Sequence, residues 1–211
     1  MKPTAARRRR ERDARRRLIL DAARAVFAGR GFRNASVEAI AARAELAVGT
    51  LYRYFQSKEE LYVSLLFEAM AMFHERIEAI RASSAPPDAQ LQAIWQFFYD
   101  FYQEQPEYYR VFMFLHSEGL RQVISAEVLD EINQRAAENF RLVAGIVQAG
   151  VAAGLYQAEL DARGVVDVLW SLLVGLVQLA ETRRNLGVRR GNSLETLHRE
   201  AFAWIERGLR R

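Results

Sequence analysis

Apolar side chains recur at helical spacing along nearly the whole of this chain, and little interrupts them. Near the amino end the pairs Leu18/Ile19, Ala22/Ala23 and Val26/Phe27 return every four residues, which gathers them on one face of an α-helix. Four prolines and twelve glycines in 211 residues are few for a β-rich or loop-rich chain. Ala, Leu, Glu and Arg, all good helix formers, dominate instead. No stretch alternates as a strand would, and no internal repeat is present. The pattern predicts an all-α fold of about nine helices.

Composition narrows the class further. Apolar residues at 51% and charged residues at 27% exclude wholesale disorder and collagen-like structure. Cysteine is absent, which removes disulfides, thiolate metal sites and cysteine nucleophiles together and is compatible with a reducing compartment. The basic N-terminus lacks a following apolar stretch of signal length. The longest apolar run without a charge, Val168 to Ala180, has 13 residues, against the 18 or so of a membrane span. A soluble, cytoplasmic protein without a membrane partner is expected.

Charge is divided unevenly. Residues 1–58 carry 15 Lys or Arg against 5 Asp or Glu, whereas residues 59–211 carry 15 against 21. The balance of +10 at one end suits a polyanion, which the remainder at −6 would repel.

The basic end also has the most specific pattern. A first helix is predicted from about Asp13 to Ala28, ended by Gly29-Arg30-Gly31. A short second helix follows Ser36, a good N-cap, with Glu38 at its positive dipole end and Val37, Ile40, Ala41 and Ala44 inside. After a break at Glu45-Leu46, a third helix covers about Ala47 to Phe55. Ser57 with Glu60 then reads as a capping box opening a long fourth helix to about Ala82. Two short helices joined by a tight turn predict a helix-turn-helix. With Leu51 and Phe55 inside, the third helix turns Val48, Gly49, Tyr52 and Arg53 outward, with Thr50 and Tyr54 at the flanks. Its eight residues from Ala47 to Tyr54 span about 12 Å, a length that fits a DNA major groove about 12 Å wide.

The residues Ser36-Val-Glu-Ala-Ile-Ala-Ala-Arg-Ala-Glu-Leu-Ala-Val-Gly-Thr-Leu-Tyr-Arg-Tyr-Phe-Gln-Ser-Lys-Glu-Glu-Leu61 resemble the DNA-binding signature of the TetR family of bacterial transcriptional regulators. Ala25 to Phe32 also fits that family's first helix and its exit. The resemblance covers about residues 15 to 65. It implies a three-helix DNA-binding domain followed by a helical ligand-binding and dimerisation domain, in an obligate-dimer repressor. It implies that Val48, Gly49, Tyr52 and Arg53 face the groove and that Ser36, Thr50, Tyr54 and Lys58 hold phosphates. Lys58 also stands at the N-terminus of the fourth helix, where anions are favoured. Two positions depart from the family pattern. Glu45 stands where the turn usually has glycine, and Ala47 where serine or threonine often caps the third helix.

Three segments follow: a basic arm at 1–14, the helix-turn-helix domain at 15–58, and an effector-binding and dimerisation domain at 59–211. Eight arginines fall between Arg7 and Arg17; they form either an arm reaching the flanking minor groove, where arginine is favoured, or a disordered cationic tail. Beyond Ser83 to Pro87, helices are predicted at about 88–105, 106–117, 126–150, 161–186 and 194–209. The first two are rich in aromatic residues, so a pocket partly lined by Trp95, Tyr99, Tyr102, Phe112 and His116 is expected for a small apolar or aromatic effector. The last two helices, apolar over much of their surface, are expected to form a four-helix interface with a twofold mate.

No catalytic machinery or cofactor site is visible. Glu195 to His198 is a lone Glu-x-x-His, where helical di-iron proteins need two such motifs plus two further glutamates; a polar face is the simpler reading. His74 and Glu78 read as a solvated pair. The chain is expected to be a homodimeric, ligand-responsive regulator, most simply a repressor released from a palindromic operator. The alternatives are an architectural DNA-binding protein without an effector, or a helical metalloenzyme.

Overall fold

The computed structural model describes residues 5–109, 124–188 and 191–210. Helix α1 (Ala5–Asn34) begins well before the expected start near Asp13. Ala and Arg are strong helix formers, and Arg7 pairs with Glu11 one turn on at 2.8 Å, so the basic segment continues the helix through Arg17. The end differs too. Gly31 breaks the helix with φ 71° and ψ 164°, a backbone that glycine alone adopts cheaply, and three more helical residues then carry Phe32 into the core.

Helix α2 (Val37–Arg43) is capped as expected: the Ser36 hydroxyl oxygen accepts from the Ala39 amide at 3.2 Å. The turn after it closes through Glu45 and Leu46 amides donating to the Ala42 and Ala41 carbonyls. Helix α3 (Val48–Leu51) is shorter than its expected span. Turns bonded from Tyr54 and Phe55 back to the Leu51 carbonyl, at 2.9 and 3.1 Å, carry the chain round to Phe55. Helix α4 (Lys58–Arg81) opens on the capping box, in which the Glu60 amide donates to Ser57 Oγ at 3.1 Å and the Glu60 carboxylate accepts from the Gln56 amide at 2.6 Å.

Helices α5 (Pro87–Glu104), α6 (Ala126–Ala152), α7 (Ala162–Asn185) and α8 (Leu194–Leu209) match the expected spans within two residues at each end. Asp161 and Ser193 cap the last two, accepting from the amides of Arg163 and Gly164 and of Thr196. Of the helix expected at 106–117, residues 106–109 are helical and the rest lies outside the described residues. Among the described residues there is no strand, only an isolated bridge between Tyr156 and Arg210.

These helices pack as two compact units. One comprises the chain up to Met72 with Gln105–Asn133; the other comprises Phe73–Glu104 with Gln134–Arg211. The division falls inside α4. The physical reason is that Leu61, Leu65, Leu66 and Ala69 are fully buried in the same core as Ile19 and Ala23 of α1, Ile40 of α2, Leu51 and Phe55. Each such aliphatic or aromatic side chain contributes about 1.5–3 kcal/mol on burial. Tyr62 closes this core edge-on, its ring 5.4 Å from Phe27 and 5.1 Å from Phe32.

In the second unit Phe73 meets Phe97, Phe98 and Phe101 edge-on at 4.7–5.9 Å, and Trp170 of α7 packs against Phe98 and Phe140. Helix α7 buries Val166, Leu169, Leu173 and Val177 while Val168, Leu172 and Leu179 stay exposed on another face. By length and composition α7 is apolar enough to cross a membrane, although its longest charge-free run is short. On α8, Ala201 is buried whereas Trp204 is 64% exposed.

Candidate nucleic-acid interface

Helix α3 has one anchored side. Leu51 and Phe55 are both fully buried, and they fix the rotation of the turns between them. Tyr52 is 48% exposed, and Gly49 and Arg53 are also exposed; Val48, Thr50 and Tyr54 are half-buried. Of the expected outward group, Gly49, Tyr52 and Arg53 are thus turned to solvent and Val48 only in part. A large phenol left in water beside an arginine is not what core packing would select. Tyrosine and arginine in such a position can donate to phosphates and base edges. Ser36 joins them only in part: its oxygen is engaged by the Ala39 amide, and its hydroxyl hydrogen remains a donor.

Lys58 requires a correction. Its ammonium group donates to the Phe32 carbonyl at 2.9 Å and to the Ala35 carbonyl at 3.1 Å, and it sits 4.4 Å from the centre of the Phe32 ring. These are the orphan carbonyls at the end of α1, which a cation satisfies well. The side chain is thus turned toward its own protein instead of outward to a phosphate. A signal was available, because a lysine opening a helix can equally reach the C-terminus of a neighbouring one.

The two departures from the family pattern have the local structure their chemistry demands. Glu45 adopts φ 55°, a left-handed backbone that costs a non-glycine residue about 1 kcal/mol. Ala47 is the N-cap of α3, and no side-chain bond satisfies the first turn.

Sequence reasoning missed one part of this surface. Arg8, Arg12 and Arg15 of α1 line a groove of about 410 Å³ together with Glu11, Arg53 and Tyr54. Behind it, Arg16 lies 4.9 Å from the centre of the Phe55 ring and donates to Ser64 Oγ at 3.2 Å. The basic segment and the outward end of α3 are therefore neighbours.

The expected effector residues are only partly gathered. Trp95 is buried, its indole N–H donating to the His198 carbonyl at 3.0 Å, while His198 Nε2 stands 3.0 Å from the Trp95 carbonyl. The two rings stack at 4.9 Å, and Tyr99 packs against the same imidazole. Trp95 and Tyr99 line a groove of about 380 Å³ between α5 and α8. Tyr102 turns elsewhere and donates to Glu181 of α7 at 2.5 Å. Phe112 and His116 lie outside the described residues.

The remaining polar readings are corrected as well. His198 is buried rather than on a polar face, and burial pulls its pKa below the ordinary imidazole value. His74 Nδ1 bonds Asn139 at 3.0 Å, and Glu78, partly exposed, pairs with Arg81, so each has its own partner. Among the described residues no group of three or more His, Asp or Glu gathers where a metal could sit.

Comparison with known proteins identifies the family. The pattern of bacterial regulatory proteins, tetR family, matches residues 19–65, and that of the tetracyclin repressor-like C-terminal domain matches residues 91–200. The HTH-type transcriptional repressor NicS of Pseudomonas putida is 30% identical over 142 residues, 67% of this chain and 66% of NicS. The fatty acid degradation regulator FadR from Bacillus halodurans superposes with a TM-score of 0.76 at 24% identity, covering 93% of this chain and 97% of that one. FadR from Bacillus subtilis, solved in complex with stearoyl-CoA, superposes with a TM-score of 0.72 at 25% identity, covering 91% and 98%. With family patterns matching its helix-turn-helix and more than half of its length beyond, this chain is a DNA-binding transcriptional regulator of the TetR family.

Proposed function

We propose that this regulator is a cytoplasmic, non-enzymatic homodimeric repressor that leaves its operator when an acyl-type apolar ligand binds the second unit. The observation that carries the DNA-binding part is the exposed Tyr52–Arg53 pair held over the buried Leu51 and Phe55. In this reading Val48, Gly49, Tyr52 and Arg53 meet base edges in the major groove, while Ser36, Thr50 and Tyr54 hold the flanking phosphates. Two subunits place their α3 helices in successive grooves about 34–36 Å apart, which requires a roughly palindromic site.

The dimer forms through α7 and α8. Val168, Leu172 and Leu179 recur at helical spacing on an exposed face of α7, and Trp204 stands exposed on α8. Apolar surface of that extent is characteristic of an interface, and a twofold mate would cover it with the same elements. The effector class rests on the aromatic packing around Phe73, Phe98 and Trp170, together with the stearoyl-CoA bound by the Bacillus subtilis relative. Ligand binding biases a two-state equilibrium through α4, whose first residues belong to the DNA-reading unit and whose last belong to the other.

The test is a DNA-binding titration by fluorescence anisotropy on duplexes that the protein selects from genomic fragments, with and without stearoyl-CoA, alongside light scattering. The expected result is one dimer per palindromic site, released by the thioester. A monomer that binds all duplexes alike would overturn the reading.

A further inference from the structure

A flexible arginine arm could slide into a minor groove, but a helix cannot. With side chains an α-helix is about 10–12 Å across, and the minor groove of B-DNA is about 6 Å wide. Since α1 is helical from Ala5, its basic segment cannot enter a minor groove in that way. Helical spacing puts Arg8, Arg12 and Arg15 on one face, at successive turns. Arg53 and Tyr54, from the end of the DNA-reading turn, complete the groove they line. Four guanidinium groups thus surround this space with one carboxylate, Glu11, whose charge is already shared with Arg7 at 2.8 Å.

Such a groove carries an excess of positive charge. The cations repel one another and also oppose the positive end of the α1 dipole. A row of phosphates relieves both effects, and guanidinium groups bind phosphate oxygens through paired hydrogen bonds. We propose that the first three turns of α1 form a helical clamp on the sugar-phosphate backbone outside each half-site, with Arg8, Arg12 and Arg15 gripping the strand whose phosphates Tyr54 meets from the other side. The clamp rests on the DNA-reading role given to α3 above. It adds affinity and register, and because phosphates are the same on every sequence it adds no base preference.

The test uses the full-length chain carrying Arg8→Gln, Arg12→Gln and Arg15→Gln together. All three positions are exposed, so the fold survives, and a thermal melt checks this. Probes are a duplex selected by the wild-type protein from a random-sequence pool, the same duplex trimmed to its two half-sites, and a scrambled duplex. Each lost phosphate contact flattens the log–log salt dependence by about 0.9. With two or three contacts per subunit, the triple variant should show a slope less steep by about 4 to 5 units. Its preference for the selected over the scrambled duplex should persist, and its hydroxyl-radical footprint should shorten at both ends. Trimming should weaken wild-type binding and leave the variant indifferent.

An unchanged slope and footprint in a variant that still selects the duplex would overturn the clamp alone. Loss of sequence preference in the variant would also overturn it, by making the arginines part of base reading. If the wild-type protein selects no duplex at all, the DNA-reading role of α3 fails first.

Discussion

The Tyr108 hydroxyl donates a 2.9 Å hydrogen bond to the Glu68 carboxylate, and the Arg24 guanidinium lies 4.6 Å from the centre of the same ring. One side chain thus ties the chain after α5 to α4 and to α1. Removing the hydroxyl leaves a half-buried carboxylate without that donor. A hydrogen bond to a charged group contributes about 1.5–3 kcal/mol. Tyr108→Phe should therefore lower the melting temperature by several degrees, as calorimetry would show.

The same bond makes stability pH-dependent at the alkaline end. Burial, then the bond to Glu68, pushes the Tyr108 hydroxyl up to about 12 from its ordinary 10. The folded chain holds this proton more tightly than the unfolded chain. The resulting stabilisation is complete below pH 10 and is lost as pH rises through about 12. Urea midpoints measured across that range should fall, and fall less steeply in Tyr108→Phe. Equal slopes for both proteins would contradict the assignment.

Tyr52 and Lys58 should separate cleanly. Tyr52→Ala should leave the melting temperature nearly unchanged and reduce discrimination between selected and scrambled duplexes about tenfold or more, in line with the 1–3 kcal/mol carried by a base contact. Lys58→Met removes two bonds to the Phe32 and Ala35 carbonyls, so it should cost roughly 2–3 kcal/mol of stability. The salt dependence of the folded Lys58→Met protein should match wild type. A flattened slope with unchanged stability would restore Lys58 as a phosphate ligand.

Ala47 offers a gain. A serine there can accept from the first-turn amides of α3, which the methyl group cannot. Ala47→Ser should stabilise the protein by about 0.5–1 kcal/mol, visible as a higher urea midpoint. No increase would mean that the turn after Glu45 holds the cap position out of reach.

Gly150 is required by close approach. A Cβ there would overlap the ring of Tyr156, which is 2% exposed. Gly150→Ala should destabilise by about 1–3 kcal/mol through overpacking. Combining it with Tyr156→Leu should be less damaging than the sum of the two single changes.

Much of this was legible from the residues, for identifiable reasons. Ser36 and Ser57 announced helix starts because a hydroxyl before an apolar period has a specific backbone partner. Leu51 and Phe55 announced the inner side of α3, and with it the outward position of Tyr52. The basic segment is hard to read because its arginines oppose the dipole at the start of α1 while Ala and Arg favour helix, and the helix begins at Ala5. Lys58 was misread because its partners, two carbonyls at 2.9 and 3.1 Å, come from residues more than twenty positions away. The effector residues were least legible. Aromatics on several faces of α5 do not say which ring meets His198 of α8, which meets Glu181 of α7 and which meets Phe73.

The three indoles sit in three surroundings: Trp95 is sealed against an imidazole, Trp170 is half-buried among phenyl rings, and Trp204 is 64% in water. The protein consequently has its own optical gauge of self-association. Pairing across α8 would move the Trp204 emission to shorter wavelength and shield it from dissolved quenchers, while the other two bands stay in place. Dilution series can follow subunit exchange by that colour change alone, with no dye attached.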